Sequence, residues 1–312
     1  MSPDAPTVLT EREWRAREEA HVARMRTWTV PHQARRSRGE KHPVWDFLFT
    51  YYSLPPSQLE RWQPGAGTVV TGPGARTFLA RTGYVETAIP GAADDDADTA
   101  AVTVDPAALT AKRARMARHV LALLEATASR TARLSCFGLH EWAMVYRDAP
   151  DQVRHSQLPL RLGSAGTDEV VDRMDIRCTH YDAFRFFTEP ARPLNTLQPT
   201  RNSQRDLEQP GCLHVGMDIY KWAYKLGPLT PSELLADCFE LAADIRELDM
   251  RASPYDLSSL GYDPVRIETA AGRAEYARRQ AAFTRRAAPL RERLITLYRG
   301  LLASAEVGPE SH

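Results

Sequence analysis

The chain has 312 residues, 43% of them apolar and 26% charged, and no apolar run approaches the roughly 20 residues that span a bilayer, which excludes disorder or membrane insertion for its bulk. Forty Lys and Arg balance forty Asp and Glu, so global charge advertises neither a nucleic acid nor a membrane surface, and any such surface must be a local patch. Four cysteines, Cys136, Cys178, Cys212 and Cys238, are spaced too widely for a small disulfide scaffold. No basic-then-apolar signal segment precedes residue 40, and a reducing, cytoplasmic setting is expected.

In chain order, Thr10 is placed to cap a helix with Glu11 and Glu13 in its first turn, running through Trp28, and Pro31 is expected to end it. Between Glu11 and Lys41 nine Arg and Lys stand against five Glu, so residues 1–41 read as a weakly basic helical arm ahead of a main helical domain at 42–305. His42 to Tyr52 is dense in aromatics and reads as buried; Pro55 and Pro56 close it, and Ser57 is placed to cap a short helix, LERW. Residues 65–105 change character. Glycines at 65, 67, 72, 74, 83 and 91 separate short β-branched runs such as TVVTG, and the acidic run DDDAD follows, predicting a loop-rich insertion with one hairpin.

Pro106 to Ala128 carries Leu109, Met116, Val120, Leu123 and Leu124 near helical spacing, and Cys136 to Arg147 continues as helix. Pro150 to Asp175 has little pattern and reads as loop, with VDRMDIRC as a short strand. Cys212–Leu226 and Glu233–Met250 are strong helices separated by Gly227, Pro228 and Pro231, and a last helix runs from Ala270 to Ala303 before a disordered tail at 306–312. No repeat is apparent. The expected fold is mainly α: a single helical domain with a minor β hairpin insertion and the basic N-terminal arm.

Polar residues inside apolar helices are the informative signal, because a buried charge costs several kcal/mol unless it is paired or put to use. CFGLHEWAMVYR sets His140 and Glu141 beside Trp142 and Tyr146, and IRCTHYDAFRFF sets His180, Asp182 and Arg185 among Tyr181, Phe184, Phe186 and Phe187. In CLHVGMDIYKWAYKL the residues His214, Asp218, Lys221 and Lys225 share one helix face. In DCFELAADIRELDMR the stripe Asp237, Glu240, Asp244, Glu247 and Arg251 does too, and it fits an ordinary solvated face equally well.

Two chemistries follow. His140, Glu141, His180, Asp182, His214 and Asp218 supply the imidazole and carboxylate ligands of non-haem iron, manganese or catalytic zinc sites. No HExxH or CxxC run accompanies them, although Cys136 stands four residues before His140 and Cys178 and Cys212 each two before a histidine. The other chemistry is hydrolysis of an N-glycosidic bond in DNA, which needs a flipped base held on aromatic faces and a carboxylate to stabilise the sugar cation or position water. Trp142, Tyr146, Tyr181, Phe184, Tyr220 and Trp222 would stack; Glu141 or Asp182 would be the carboxylate, with His180, His214 and Asp218 to orient it. Lys221, Lys225 and Arg185 would meet phosphate. The last helix adds eight arginines (Arg273, Arg278, Arg279, Arg285, Arg286, Arg291, Arg293, Arg299) against Glu275 and Glu292.

At HPVWDFLFTYYSLPPSQLERWQPG, CFGLHEWAMVYR, IRCTHYDAFRFFTEPARPLN, EQPGCLHVGMDIYKWAYKL and DCFELAADIRELDMRASPYDL, the chain resembles a bacterial family carried under the name 3-methyladenine DNA glycosylase, over about residues 42–290. It lacks a helix-hairpin-helix signature, so the resemblance is to a type apart from the glycosylases built on that motif. The resemblance implies base-excision repair, with alkylated DNA as partner. The leading expectation is therefore an N-glycosylase for alkylated purine that needs no cofactor, and the alternative is a metal-dependent enzyme acting on a small molecule with a divalent ion. A third class is a non-enzymatic binding protein whose polar clusters lock helices together.

Overall fold

The computed structural model describes residues 6–90, 100–148 and 157–306. A strand that the sequence pattern did not predict, β1 (Thr7–Leu9), leads into α1 (Glu11–Ser37). The Thr10 hydroxyl accepts from the Glu13 amide, and the Glu13 carboxylate accepts from the Thr10 amide at 2.8 Å, a reciprocal pair that satisfies two orphan donors of the first turn. Pro31 does not end this helix, contrary to expectation. Tertiary contacts grip it on both sides of the proline: Trp28 packs edge-on against Trp45 and Phe239, while His32 and Arg35 bond Asp46 at 2.8 and 2.5 Å. Those contacts offset the hydrogen bond that proline cannot make.

Two short helices follow, α2 (Phe47–Thr50) and α3 (Pro56–Leu59). Ser57 lies inside α3 and does not cap it; Pro56, with φ already set for a helix, starts the turn one residue earlier. The glycine-rich region holds β2 (Thr68–Thr71), β3 (Tyr84–Glu86) and β4 (Ala101–Val104). With β1 they form a four-stranded sheet in the order β1-β2-β4-β3, in which β1 runs parallel to β2 with Val8 opposite Val69 and the other pairs are antiparallel. The β3–β4 hairpin is thus part of a larger sheet. The acidic run at 94–98 lies outside the described residues.

Next come α4 (Ala111–Ala128), capped by Thr110, and α5 (Leu139–Ala143). The helix expected over Cys136–Arg147 shrinks to five residues because Phe137, Gly138 and Arg147 all take positive φ. A helix occupies part of the expected loop: α6 (Gly163–Arg173) turns Thr167, Val170 and Val171 inward. Two glycines and few apolar residues hid it. The strand expected at VDRMDIRC is absent; α6 claims its first residues, and only an isolated bridge joins Ile176 to Asn195. The chain continues through α7 (Tyr181–Phe184), α8 (Gln204–Leu207), α9 (Leu213–Lys225), α10 (Ser232–Arg251) and α11 (Ala270–Glu306). Glu306, placed in the expected tail, closes α11, and the rest of that tail is outside the described residues.

The fold is mainly α. Helix α10 packs along α9, and α11 lies against both and against α4. Among the described residues no helix is long and apolar enough to cross a membrane. Helix α1 buries Trp14 and Met25, the Trp14 indole donates to the Thr71 carbonyl at 3.0 Å, and Arg24 pairs with Asp237 and Glu240 on α10. Met25 has no exposed surface. Met25→Ala is expected to cost about 2–5 kcal/mol of unfolding free energy in urea titration. A cost near zero would mean that α1 adds nothing to the core.

Candidate metal centre

Three segments distant in sequence meet at one point, where His140 and Asp249 are buried and His214 is half-buried. The left-handed Gly138 starts α5, which carries His140; α9 starts at Cys212 and carries His214 in its first turn; Asp249 sits in the last turn of α10. Close packing of the two long helices joins their ends: a Cβ at Gly216 would stand 2.9 Å from the Ile245 side chain, so only glycine allows this approach without movement. The potential ligand atoms of His140, His214 and Asp249 all lie within 4.8 Å of one another. Nε2 of His140 is 3.0 Å from Asp249 Oδ1, and the two imidazole rings meet edge to face with centroids 4.3 Å apart.

The two histidines differ electrically. Burial opposes charge on His140, but the adjacent Asp249 carboxylate and Cys136 outweigh it and hold its pKa well above the ordinary value. Burial, and then the charge on His140, push His214 well below the ordinary value. The surroundings therefore favour charge on His140 and the neutral ring on His214. Among the described residues His214 makes ring contacts but no hydrogen bond, and Oδ1 of Asp249 receives no well-aligned one.

The surrounding charges are paired. Arg246, 2% exposed, reaches Glu141 at 2.8 Å and Asp249 at 3.5 Å, and lies 4.2 Å over the Phe47 ring. His180 caps α7, where its Nδ1 accepts from the Ala183 amide, while its Nε2 faces Asp218 at 3.3 Å and Glu208 at 3.6 Å. Both ring nitrogens are engaged, so His180 stacks on His214 as a neighbour. Asp218 also takes Lys221 at 3.0 Å and the Tyr52 hydroxyl at 3.3 Å; burial alone would raise its pKa, but Lys221 and His180 hold it well below the carboxylate range. Lys221 continues to Asp182 at 3.2 Å, and Arg185 covers Asp182 at 3.3 Å.

Of the residues singled out from sequence, His140, Glu141, His180, His214 and Asp218 come together, with Asp182 at the outer edge through Lys221. The aromatic candidates are largely core: Trp142 and Tyr220 have no exposed surface, Tyr146, Phe184 and Trp222 are buried, and Tyr181 is half-buried. Lys225 and Arg185 are exposed, Arg185 lying over Phe186. The acidic stripe of α10 is an ion-paired outer face: Asp237 and Glu240 hold Arg24, Asp237 also holds Arg293, Asp244 holds Arg286 and Glu247 holds Arg251. Asp249, Glu208 and Arg246 were not among the candidates, whereas Cys136, four residues before His140 in sequence, does meet its ring. The signal for Asp249 was an acid between Leu248 and Met250, off the exposed stripe and three residues after an arginine.

The chain matches no known protein family, no curated protein and no solved structure. The site must be judged on its own geometry.

Lys221→Met would leave the buried Asp218 carboxylate short of its cation, at an expected cost of about 3–5 kcal/mol. Adding Asp218→Asn should restore most of that in chemical denaturation, and a double variant no more stable than the single one would refute the pairing. Because the folded pKa of Asp218 is depressed, its stabilisation is complete above the unfolded value of about 3.9 and drains away as pH falls below it. The stability gap between the native chain and Asp218→Asn should therefore narrow in acid.

Proposed function

We propose that this chain is a metal-dependent enzyme acting on a small molecule, with His140, His214 and Asp249 as the protein ligands of one divalent first-row transition ion. The observation that carries this reading is the convergence of two imidazoles and one carboxylate within 4.8 Å. Two histidines and a carboxylate suit iron(II), manganese or zinc and leave coordination positions open to water or substrate. Such an ion, when bound, acts as a Lewis acid and activates water or another small ligand.

The residues present fit that group. Burial and the charge on His140 push the His214 pKa well below the ordinary value, which favours the neutral imidazole a ligand needs, and its ring offers a ligand atom within 4.8 Å of the Asp249 carboxylate. Arg246 fixes the Asp249 carboxylate from behind and balances Glu141. Cys136 meets the outer nitrogen of His140 at 3.9 Å, and His180 braces the His214 ring. Contacts of this kind orient ligands around metal ions.

The N-glycosylase reading draws less support. A flipped base needs an open aromatic slot, and Trp142, Tyr146 and Tyr220 are packed in the core. The arginines of α11 are largely committed as well: Arg279, Arg286, Arg293 and Arg299 hold carboxylates, and Arg291 is buried. A purely structural cluster would account for His180 with Asp218 and for His140 with Asp249, and it gives no role to His214, whose ligand atom lies within 4.8 Å of both His140 and Asp249.

Purified protein should carry about one equivalent of a transition ion by elemental analysis, and His214→Ala should lose it while staying folded. Rebinding to the stripped chain should release protons, because ligating imidazoles must give up theirs and the surroundings favour charge on His140; calorimetry in buffers of different ionisation enthalpy reads it. An ion that survives His214→Ala, or none in the native chain, would refute this reading. Release of methylated purine from alkylated DNA in excess EDTA would favour the glycosylase instead.

A further inference from the structure

A cavity of about 500 Å³ opens beside the metal centre, in the size range of small-molecule sites. Its wall includes Cys136, whose sulfur is 3.9 Å from His140, and Cys212, which caps the helix carrying His214 two residues on. The cavity is thus one side chain away from His140, and its Cys212 wall begins the helix that carries His214. Its lining has two guanidinium groups, Arg133 and Arg177, hydroxyl and amide groups such as Thr179 and Gln209, and no carboxylate.

The frame of the cavity is built by groups other than the arginines. The Gln209 side-chain oxygen accepts from the amides of Arg133 and Gly211, both at 2.8 Å, and its nitrogen donates to the Arg133 carbonyl. Gly211 sits so close that a Cβ there would be 2.5 Å from that carbonyl. On the other side Asn195 pins the Cys178 amide at 2.7 Å and the Cys178 carbonyl at 3.0 Å. With the backbone held this way, the Arg133 guanidinium remains available and that of Arg177 is engaged only at the surface. Arg133 makes no side-chain ion pair or hydrogen bond among the described residues, and Arg177 meets only the largely exposed Asp175.

Resting on the metal-centre reading, we infer that this cavity is the substrate's entry to the metal centre and takes a small oxyanion, a carboxylate or a phosphate, met by Arg133 and Arg177. Guanidinium groups match both planar carboxylates and phosphates with paired, charge-assisted hydrogen bonds. An anion clamped at the outer wall would point the rest of a small molecule past Cys136 and Cys212 toward the ligands.

The test uses the full chain loaded with Mn(II), with inorganic phosphate and succinate as probes. Their nuclear relaxation reports both binding and nearness to the ion. At least one probe should show saturable relaxation enhancement, and the double variant Arg133→Gln/Arg177→Gln should weaken its binding by roughly tenfold or more while leaving Mn(II) stoichiometry unchanged. Which probe responds distinguishes carboxylate from phosphate. Binding unaffected by the double variant, or absent for both probes, would overturn the inference while leaving the metal centre standing. If Mn(II) fails to bind, the metal-centre reading stands or falls on the elemental analysis, and calorimetry of the same probes on the metal-free chain decides separately whether the two arginines hold an anion.

Discussion

Asp249 is a carboxylate with no exposed surface, and the middle of this protein is organised around that cost. An ion withdrawn from water must recover its hydration from fixed partners, or it takes up a proton. Here the partners are His140 on one side and Arg246 on the other, and Arg246 in turn satisfies Glu141. A second network, His180 with Asp218 and Lys221 with Asp218 and Asp182, settles another buried carboxylate and leads outward to the surface. His214 lies between the two, touching the rings of His140 and His180 and bonded to neither. The unpaired member of an otherwise settled assembly is the one with capacity left for a ligand.

That arrangement was partly legible in the sequence. Periodicity marked α9 and α10 because their buried faces are continuous, and histidines beside acids pointed to His140, His180, His214 and Asp218. The pairing of those histidines was not legible. His214 and Asp218 stand one turn apart on a helix, yet Asp218 serves His180, and the carboxylate nearest His140 is Asp249, 109 residues away. Regular spacing drew attention to the acids facing outward toward arginines, whereas an isolated acid inside an apolar run was the informative one.

The misread elements share a cause. Pro31 and the glycines of α6 weaken a helix locally, but contacts from elsewhere decide whether it forms, as the grip of Trp45, Phe239 and Asp46 on the end of α1 demonstrates. The short α5 is the reverse case, where helix-forming residues are interrupted because Phe137 and Gly138 take left-handed conformations. Strand β1 was invisible because three residues carry no period, and only its register against β2 defines it.

The pairing of Arg24 with Glu240 spans 216 residues of chain. At ribosomal speeds of roughly 5–20 residues per second, α1 waits on the order of ten to forty seconds before its partner helix exists. Over that interval Trp28 lacks the Phe239 ring that later packs against it, and a nascent chain has reason to be shielded by a chaperone. The same helix α10 that ends this wait also delivers Asp249, so closing the N-terminal half and bringing a carboxylate up to His140 and His214 are a single event.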